Sequence, residues 1–241
     1  QLQVYYQPKL CLETGKLLGA EALARMQNHQ GQWVSPMEFI PLAEETGLIG
    51  ELGQQVLRQA CEACLSWQQL GYQVPVSVNI AAAQFADPLL VKQISSLMTE
   101  LQMPAHLLEL EVTESSLMLD VSKTQSMLSQ LKAAGICISI DDFGTGYSSL
   151  SYLKKFQVDV LKIDKSFVQE MLTDKGDMEI VKAVISLAQS MNLQLIAEGI
   201  ELEAQKDKLL QLGCQMGQGY FFSKPLSAEA FKAYMTAQHH N

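Results

Sequence analysis

The chain has 241 residues, of which 48% are hydrophobic and 18% charged, and its formal net charge is −9. That length suits one large domain or two small ones, and a single α/β barrel needs about 250 residues. No apolar run approaches the roughly 20 residues of a membrane span, no secretory signal is visible, and the basic stripe of a DNA- or RNA-binding domain is missing.

In chain order, residues 2–12 read as a strand, Gly15 as a turn and residues 17–25 as a second strand. So short a connection makes a hairpin, and the two strands run antiparallel. Ser35-Pro36-Met37-Glu38 is a helix start, with Ser as N-cap, Pro at the first helical position and Glu where a capping box wants it. Helical patterns run from 36 to about 47 and from 51 to 70, the second closed by Gly71. Residues 75–81 form a strand and 107–113 another. Between them, 88–101 is a helix with Leu90, Ile94, Leu97 and Leu101 on one face. The helix over 122–134 stops at Gly135, and the strand 136–140 follows. Then come a short helix (149–156), a strand (160–164), a helix (178–191) and a strand (193–197). A helix over 202–212 closes at Gly213, and the last strand (215–222) and last helix (228–236) complete the chain.

Strands and helices alternate after residue 75, which implies parallel β-α units. About eight strands in one chain without a linker predict an α/β fold, a TIM-like (β/α)8 barrel made irregular by its antiparallel first strand. An open doubly wound sheet is the structural alternative. It would show a Gly-rich first βα turn, whereas Gly144-Thr145-Gly146 is neither GxGxxG nor a P-loop.

The five cysteines (Cys11, Cys61, Cys64, Cys137 and Cys214) are odd in number and scattered, which argues for a reducing compartment over a disulfide framework. Cys61 and Cys64 form a lone CxxC whose helix position points to packing. His29, His106, His239 and His240 have no metal-site or triad spacing. The chain has no initiator Met and starts in a strand-like run, so the expectation is a single domain over 1–241, cut from a longer protein. Its setting is expected to be cytoplasmic, with no membrane contact by this segment and with room for a parent tethered to the inner membrane.

In such barrels the active site lies at the C-terminal ends of the strands. Those ends deliver Glu21 followed by Ala22-Leu23-Ala24-Arg25, then Asn79, then Glu109, Glu111 and Glu114. After these come Asp141 and Asp142, Lys162 and Asp164, Glu198 followed by Gly199-Ile200-Glu201, and Gln218. Each has a plain structural reading. Asp141-Asp142 before Gly144 makes a turn, Asn79 makes a core hydrogen bond, Glu109 or Glu111 makes a salt bridge, and Glu201 and Glu203 are a solvated helix start. Lys162, between Leu161 and Ile163, needs a buried anion partner, and the two aspartates are candidates. Taken together, four or five carboxylates and an amide converging at one barrel end are stable only with hard cations. Oxygen-only ligands favour Mg²⁺ or Mn²⁺ over Zn²⁺. A bridging aspartate holds two ions roughly 4 Å apart, which activates water for phosphoester hydrolysis. Arg25 and Lys162 would then offset phosphate charge.

The series Glu21-Ala22-Leu23, Ser77-Val78-Asn79, Glu111-Val112-Thr113-Glu114, Asp141-Asp142-Phe143-Gly144-Thr145-Gly146, Lys162-Ile163-Asp164, Ala197-Glu198-Gly199 and Gln218-Gly219-Tyr220 resembles the signature motifs of the EAL domain family. The match runs from Tyr6-Gln7-Pro8 to Ser223-Lys224-Pro225. That family comprises bacterial cyclic di-GMP phosphodiesterases of second-messenger signalling, on a TIM-like barrel with an antiparallel first strand. The resemblance implies hydrolysis of cyclic di-GMP to linear pGpG with two ions, Mg²⁺ or Mn²⁺. By resemblance, Glu21, Asn79, Glu111 and Asp141 ligate the first metal, and Asp141 bridges to a second held by Asp142, with Glu198 nearby through water. Lys162 contacts the attacking water, and either Glu198 or Lys162 assists its deprotonation. Glu114 belongs with the catalytic set as the anchor of the mobile loop after the strand 136–140. Gln7, Leu23, Arg25, Asp164, Gln218 and Pro225 line the nucleotide pocket. The one departure is Ala81-Ala82-Ala83 after Asn79-Ile80, which alters a loop contact and replaces no ligand.

Two other readings compete. One is a catalytically silent cyclic di-GMP-binding sensor, which the complete ligand set disfavours. The other is a Mg²⁺-dependent barrel of the enolase type, which needs Lys or His bases that only Lys162 supplies. The loop after 136–140 and the helix over 166–172 suggest a homodimer surface, again by resemblance.

Overall fold

Several strands alternate strictly between apolar and polar residues: Val76-Ser77-Val78-Asn79-Ile80, Leu108-Glu109-Leu110-Glu111-Val112 and Ile138-Ser139-Ile140-Asp141. In an open antiparallel sheet this pattern marks one face in water. The computed structural model, which describes residues 1–145 and 153–238, shows another solution. The apolar face points outward against helices, and the polar face lines the inside of a closed barrel.

The strands are β1 (Leu2–Cys11), β2 (Leu17–Gln27), β3 (Trp33–Val34), β4 (Val76–Ile80), β5 (Leu108–Thr113), β6 (Cys137–Phe143), β7 (Val160–Ile163), β8 (Gln194–Ala197) and β9 (Met216–Gly217). Their order is β1-β9-β8-β7-β6-β5-β4-β2, and β1 pairs with β2 to close an eight-stranded ring. β3 is a two-residue addition to the end of β2. β1 runs antiparallel to both of its neighbours, and the remaining ring pairs are parallel. The closed barrel with an antiparallel first strand is therefore present, and ring closure removes the open-sheet alternative.

Helices Ile49–Gln69, Leu90–Leu101, Val121–Ala133, Lys175–Ser190 and Glu203–Leu212 wrap the ring. Their buried stripes (Ile94 and Leu97, Leu128 and Leu131, Val181 and Val184) join the buried outward residues Val76, Val78, Leu108, Leu110, Ile138, Ile140 and Leu161 in one core. Ser35 caps the first helix as expected, accepting from the Met37 amide. Two later helices start earlier than their apolar periodicity indicates. Asp120 and Asp174 cap them, and the Asp174 carboxylate accepts from the Gly176 and Asp177 amides at 2.6 and 3.1 Å. Helices Ala82–Phe85, Glu114–Leu117 and Lys165–Glu170 are too short to show a period. The strand expected over 215–222 shrinks to Met216–Gly217, because the chain beyond it pairs with the turn at Ile200 (Ile200 N donates to Gln218 O, 3.1 Å; Phe221 N to Ile200 O, 2.9 Å). The first half of the helix expected over 149–156 (149–152) lies outside the described residues, as do Gly146 and the histidines of the C-terminal tail, and of 153–156 only Leu153 is helical.

Cys61 and Cys64 are fully buried core residues, which supports packing as the role of the CxxC. All five cysteines are free. No described helix is long and apolar enough to cross a membrane.

The helix Ala228–Gln238 is fastened to the barrel by an aromatic cluster. Tyr6 of β1 meets Trp67 edge-on at 5.0 Å between ring centroids, and Trp67 meets Phe231 at 4.7 Å. All three rings are buried. Phe231→Ala should destabilise the fold by about 3–5 kcal/mol, the usual range for deleting a buried aromatic ring. Urea unfolding followed by Trp67 fluorescence measures this.

Candidate active site

The geometry of the barrel mouth starts from an irregularity in β6. Ile140 pairs with Leu161 and Phe143 with Ile163, so Asp141 and Asp142 together oppose the single residue Lys162. This is a β-bulge, which breaks the alternation of a strand. Asp142 takes φ +53°, a left-handed conformation that Asp tolerates better than most residues. Both carboxylates consequently face the mouth, where regular pleating would have sent them to opposite sides. The pair is not a simple turn but part of the strand.

Lys162 is fully buried beneath them. Its Nζ lies 2.5 Å from Glu111 Oε2, 2.6 Å from Glu198 Oε1, 3.1 Å from Asp141 Oδ1 and 3.6 Å from Glu21 Oε2. The aspartate partner expected for Lys162 is thus one of four acids. Asn79 donates Nδ2 to Glu21 Oε1 at 2.8 Å, and it does so from an exposed position, so no burial penalty arises. Gln218 donates Nε2 to Glu21 Oε2 (2.5 Å) and Glu198 Oε1 (2.9 Å). Ligand oxygens of Glu21, Glu111 and Asp141 lie within 4.8 Å of one another, as do those of Asp141, Asp142 and Glu198. The two clusters share Asp141.

The electrostatics are those of a site short of positive charge. Burial, reinforced by neighbouring carboxylates, pushes Glu21 and Glu198 above the ordinary carboxylate range. Burial also raises Asp142, to about 6, helped by Asp141 and by a hydrogen bond with Asp164. Burial opposes the Lys162 charge, but the surrounding acids hold the ammonium well above its usual range. Glu111, likewise buried, is kept well below the carboxylate range by Lys162 and Lys9.

Above the acids opens a cavity of about 530 Å³. All six expected pocket residues (Gln7, Leu23, Arg25, Asp164, Gln218 and Pro225) lie on its wall, with Glu21, Asp141, Asp142 and Glu198. Asn79, Glu111, Lys162 and Glu114 are not part of that wall. Gln7 donates Nε2 to Ser223 O at 2.5 Å, holding the segment before Pro225 against the cavity. The Arg25 guanidinium stands 5.8 Å from the Tyr5 ring, which is braced edge-on by Trp33 at 5.7 Å. Asp164 accepts from the Ser166 amide at 2.9 Å and so caps the helix Lys165–Glu170.

Lys165, Gln169, Glu201 and Tyr220 also line the cavity and were not expected there. Glu201 is exposed just before the helix Glu203–Leu212, as expected of a solvated helix start, and it also accepts from Gln169 Nε2 at 3.0 Å. The signal available for Lys165 was its place directly after Lys162-Ile163-Asp164. Two glycines permit these contacts. A Cβ on Gly199 (φ +66°) would sit 2.5 Å from Lys165 Cβ, and one on Gly219 would sit 2.1 Å from Ile200 O.

Glu114 lies at the end of β5, and its Oε2 accepts from the Gly144 amide at 3.0 Å. Its other oxygen is buried and has no hydrogen-bond partner among the described residues. The contact ties down the exit of β6, ahead of residues 146–152, which lie outside the described set. Ala82 and Ala83 begin the helix Ala82–Phe85, whose Gln84 side chain accepts from the Ala81 amide at 3.2 Å, so the alanine run is absorbed without disturbing Asn79.

A family model described as "EAL domain" matches residues 1–225. The chain is 44% identical over 235 residues to the signaling protein YkoW of Bacillus subtilis (strain 168), a match covering 98% of this chain and 29% of that protein. It is 43% identical over 235 residues to the bifunctional diguanylate cyclase/cyclic di-GMP phosphodiesterase MucR of Pseudomonas aeruginosa, covering 97% of this chain and 34% of that protein. It thus spans about a third of the length of these curated relatives. A solved structure described as the PaMucR phosphodiesterase in complex with c-di-GMP superposes with a TM-score of 0.93 at 42% identity, covering 96% of this chain and 94% of that one.

A carboxyl raised to about 6 holds its proton below that pH and competes there with a cation. Mn²⁺ affinity at the cluster containing Asp142 should therefore be level near pH 7–8 and fall roughly tenfold per unit below about 6. Calorimetric titrations at pH 5, 6 and 7 test this, and Asp142→Asn should lower the affinity at pH 7 and blunt the pH dependence.

Proposed function

The chain belongs to the EAL domain family, and from that premise we propose that it is a metal-dependent phosphodiesterase hydrolysing cyclic di-GMP to linear pGpG. The observation that carries the reading is the pair of carboxylate clusters sharing Asp141 at the base of the cavity. The donor set fits divalent cations. Among the described residues the cavity wall offers oxygen ligands and neither His nor Cys, a chemistry suited to Mg²⁺ or Mn²⁺. Fully ionised, Glu21, Glu111, Asp141, Asp142 and Glu198 set five negative charges against the one ammonium of Lys162. The excess of four (5 − 1) equals the charge of two divalent ions.

Glu21, Asn79, Glu111 and Asp141 would hold the first ion, and Asp141 and Asp142 the second, with Glu198 close by. Bound there, the ions supply Lewis acidity and lower the pKa of a water. The protein's own groups do the rest. Glu198, whose carboxylate lies 2.6 Å from the Lys162 ammonium, would accept the proton of the attacking water, with Lys162 orienting that water. Water adds to phosphorus, the bond to one ribose 3′ oxygen breaks, and pGpG carries the new 5′ phosphate. Arg25, held over Tyr5, faces a phosphate, while Leu23 and Pro225 give apolar walls to the nucleosides. Glu114 acts through the Gly144 amide by fixing the start of the loop that follows β6. The free, largely buried cysteines suit a reducing cytoplasm. The helix Lys165–Glu170 and the loop after β6 are the proposed homodimer contact, and a concentration-independent monomeric mass would remove that part of the reading.

Incubation of the protein with cyclic di-GMP and Mg²⁺ or Mn²⁺ should yield pGpG, and EDTA should stop it. Binding without cleavage in the presence of metal would overturn the enzyme reading in favour of a sensor. Glu21→Ala should lower turnover on the order of a thousandfold, about 4 kcal/mol of barrier. Glu114→Gln should lower turnover roughly 10–100-fold, the scale of outer-shell changes, while calorimetry shows the first ion still bound.

A further inference from the structure

One layer below the carboxylate clusters lies a charged pair that the proposed reaction does not use. Lys9 of β1 is 2% exposed, and its Nζ lies 2.9 Å from Glu109 Oε1 and 2.8 Å from Glu111 Oε1. Those two acids follow each other on the inward face of β5. Opposite Lys9 in the β1–β2 pairing stands Gly19, where a Cβ would meet Pro75 O at 3.3 Å and make an ordinary contact with the lysine stem at 3.7 Å.

Burying such a pair is a poor way to stabilise a fold, since apolar residues of similar volume serve as well or better, and barrel interiors are ordinarily filled by branched aliphatic side chains. Its placement suggests another use. Each oxygen of Glu111 is met by a different ammonium, Oε1 by Lys9 and Oε2 by Lys162. Lys162 is shared among four acids, whereas Lys9 has only Glu109 and Glu111 as polar partners among the described contacts.

We propose that Lys9 is a positioning residue for the cation site: it fixes Glu111 Oε1 so that Oε2 alone is presented to an ion, and Glu109 neutralises it so that Glu111 keeps its full ligand charge. This rests on the cation-binding reading given above. Without Glu109, the Lys9 charge would fall wholly on Glu111 and weaken it as a ligand. Without Lys9, Glu111 would be held at Oε2 alone, by Lys162, and its other oxygen would lose its ammonium partner and face the Glu109 charge.

The test is direct Mn²⁺ binding by calorimetry, without nucleotide, together with thermal unfolding in EDTA. The variants are Glu109→Gln and the neutral pair Lys9→Met/Glu109→Gln. Both should fold, with melting temperatures near that of the wild type, and both should bind Mn²⁺ about 10–100-fold more weakly, as for other outer-shell partners of metal ligands. A purely structural pair would leave the affinity of the folded variants unchanged. Wild-type affinity in either variant overturns the proposal, and so does failure of the double variant to fold, which assigns the pair to the fold. Absence of Mn²⁺ binding by the wild type would instead overturn the cation reading itself.

Discussion

A lysine ammonium in the dry interior of a barrel has to be matched by anions close enough to replace its lost hydration. Lys162 meets that requirement with four carboxylates from four different places in the chain: Glu21 on β2, Glu111 on β5, Asp141 on β6 and Glu198 just after β8. The strands that carry them are locked in register by the ring, so the acids cannot separate to relieve their mutual repulsion. Lys162 draws them together but cannot neutralise all of them. That residual negative charge gives the barrel mouth carboxylate clusters that could hold a cation, and the raised proton affinity of Glu21, Asp142 and Glu198 expresses the same deficit in another form.

The backbone contributes as much as the side chains. The bulge at Asp141-Asp142 turns two successive residues to one side, so that a single strand feeds both clusters. Gly199 and Gly219 allow the turns after β8 and β9 to touch their neighbours at backbone distance, which brings Gln218 beside Glu198. Because β1 is antiparallel, it presents Gln7 to the mouth and Lys9 one layer beneath, the reverse of the order a parallel strand would give.

Much of this was legible in the chain. The alternation after residue 75 gave the β-α units, and the polar residues at the strand ends gave the acids, because strand ends in such barrels gather at one mouth. The pattern Val-Ser-Val-Asn and Leu-Glu-Leu-Glu was harder to interpret. The same alternation describes a strand half in water, and only ring closure turns its polar side inward. The bulge had no signature beyond two adjacent aspartates, which are equally at home in a turn. Lys9 gave no hint either, because its partners lie a hundred residues away on β5 and come together only through the barrel. The short helices Ala82–Phe85 and Glu114–Leu117 were hidden by their length, since four residues hold no period.

The polar interior also bears on how such a domain changes over time. An anionic cluster held together against its own repulsion is a drain on stability in the absence of its ions, and replacing one acid by a neutral residue of the same shape relieves that strain. The most stable version of this barrel is therefore not the one best equipped for chemistry. A neutral residue of the same shape at one ligand position would keep its place in the ring and on the cavity wall. A line of descent can thus pass from cutting a nucleotide to merely holding it in a single step, without first weakening the fold.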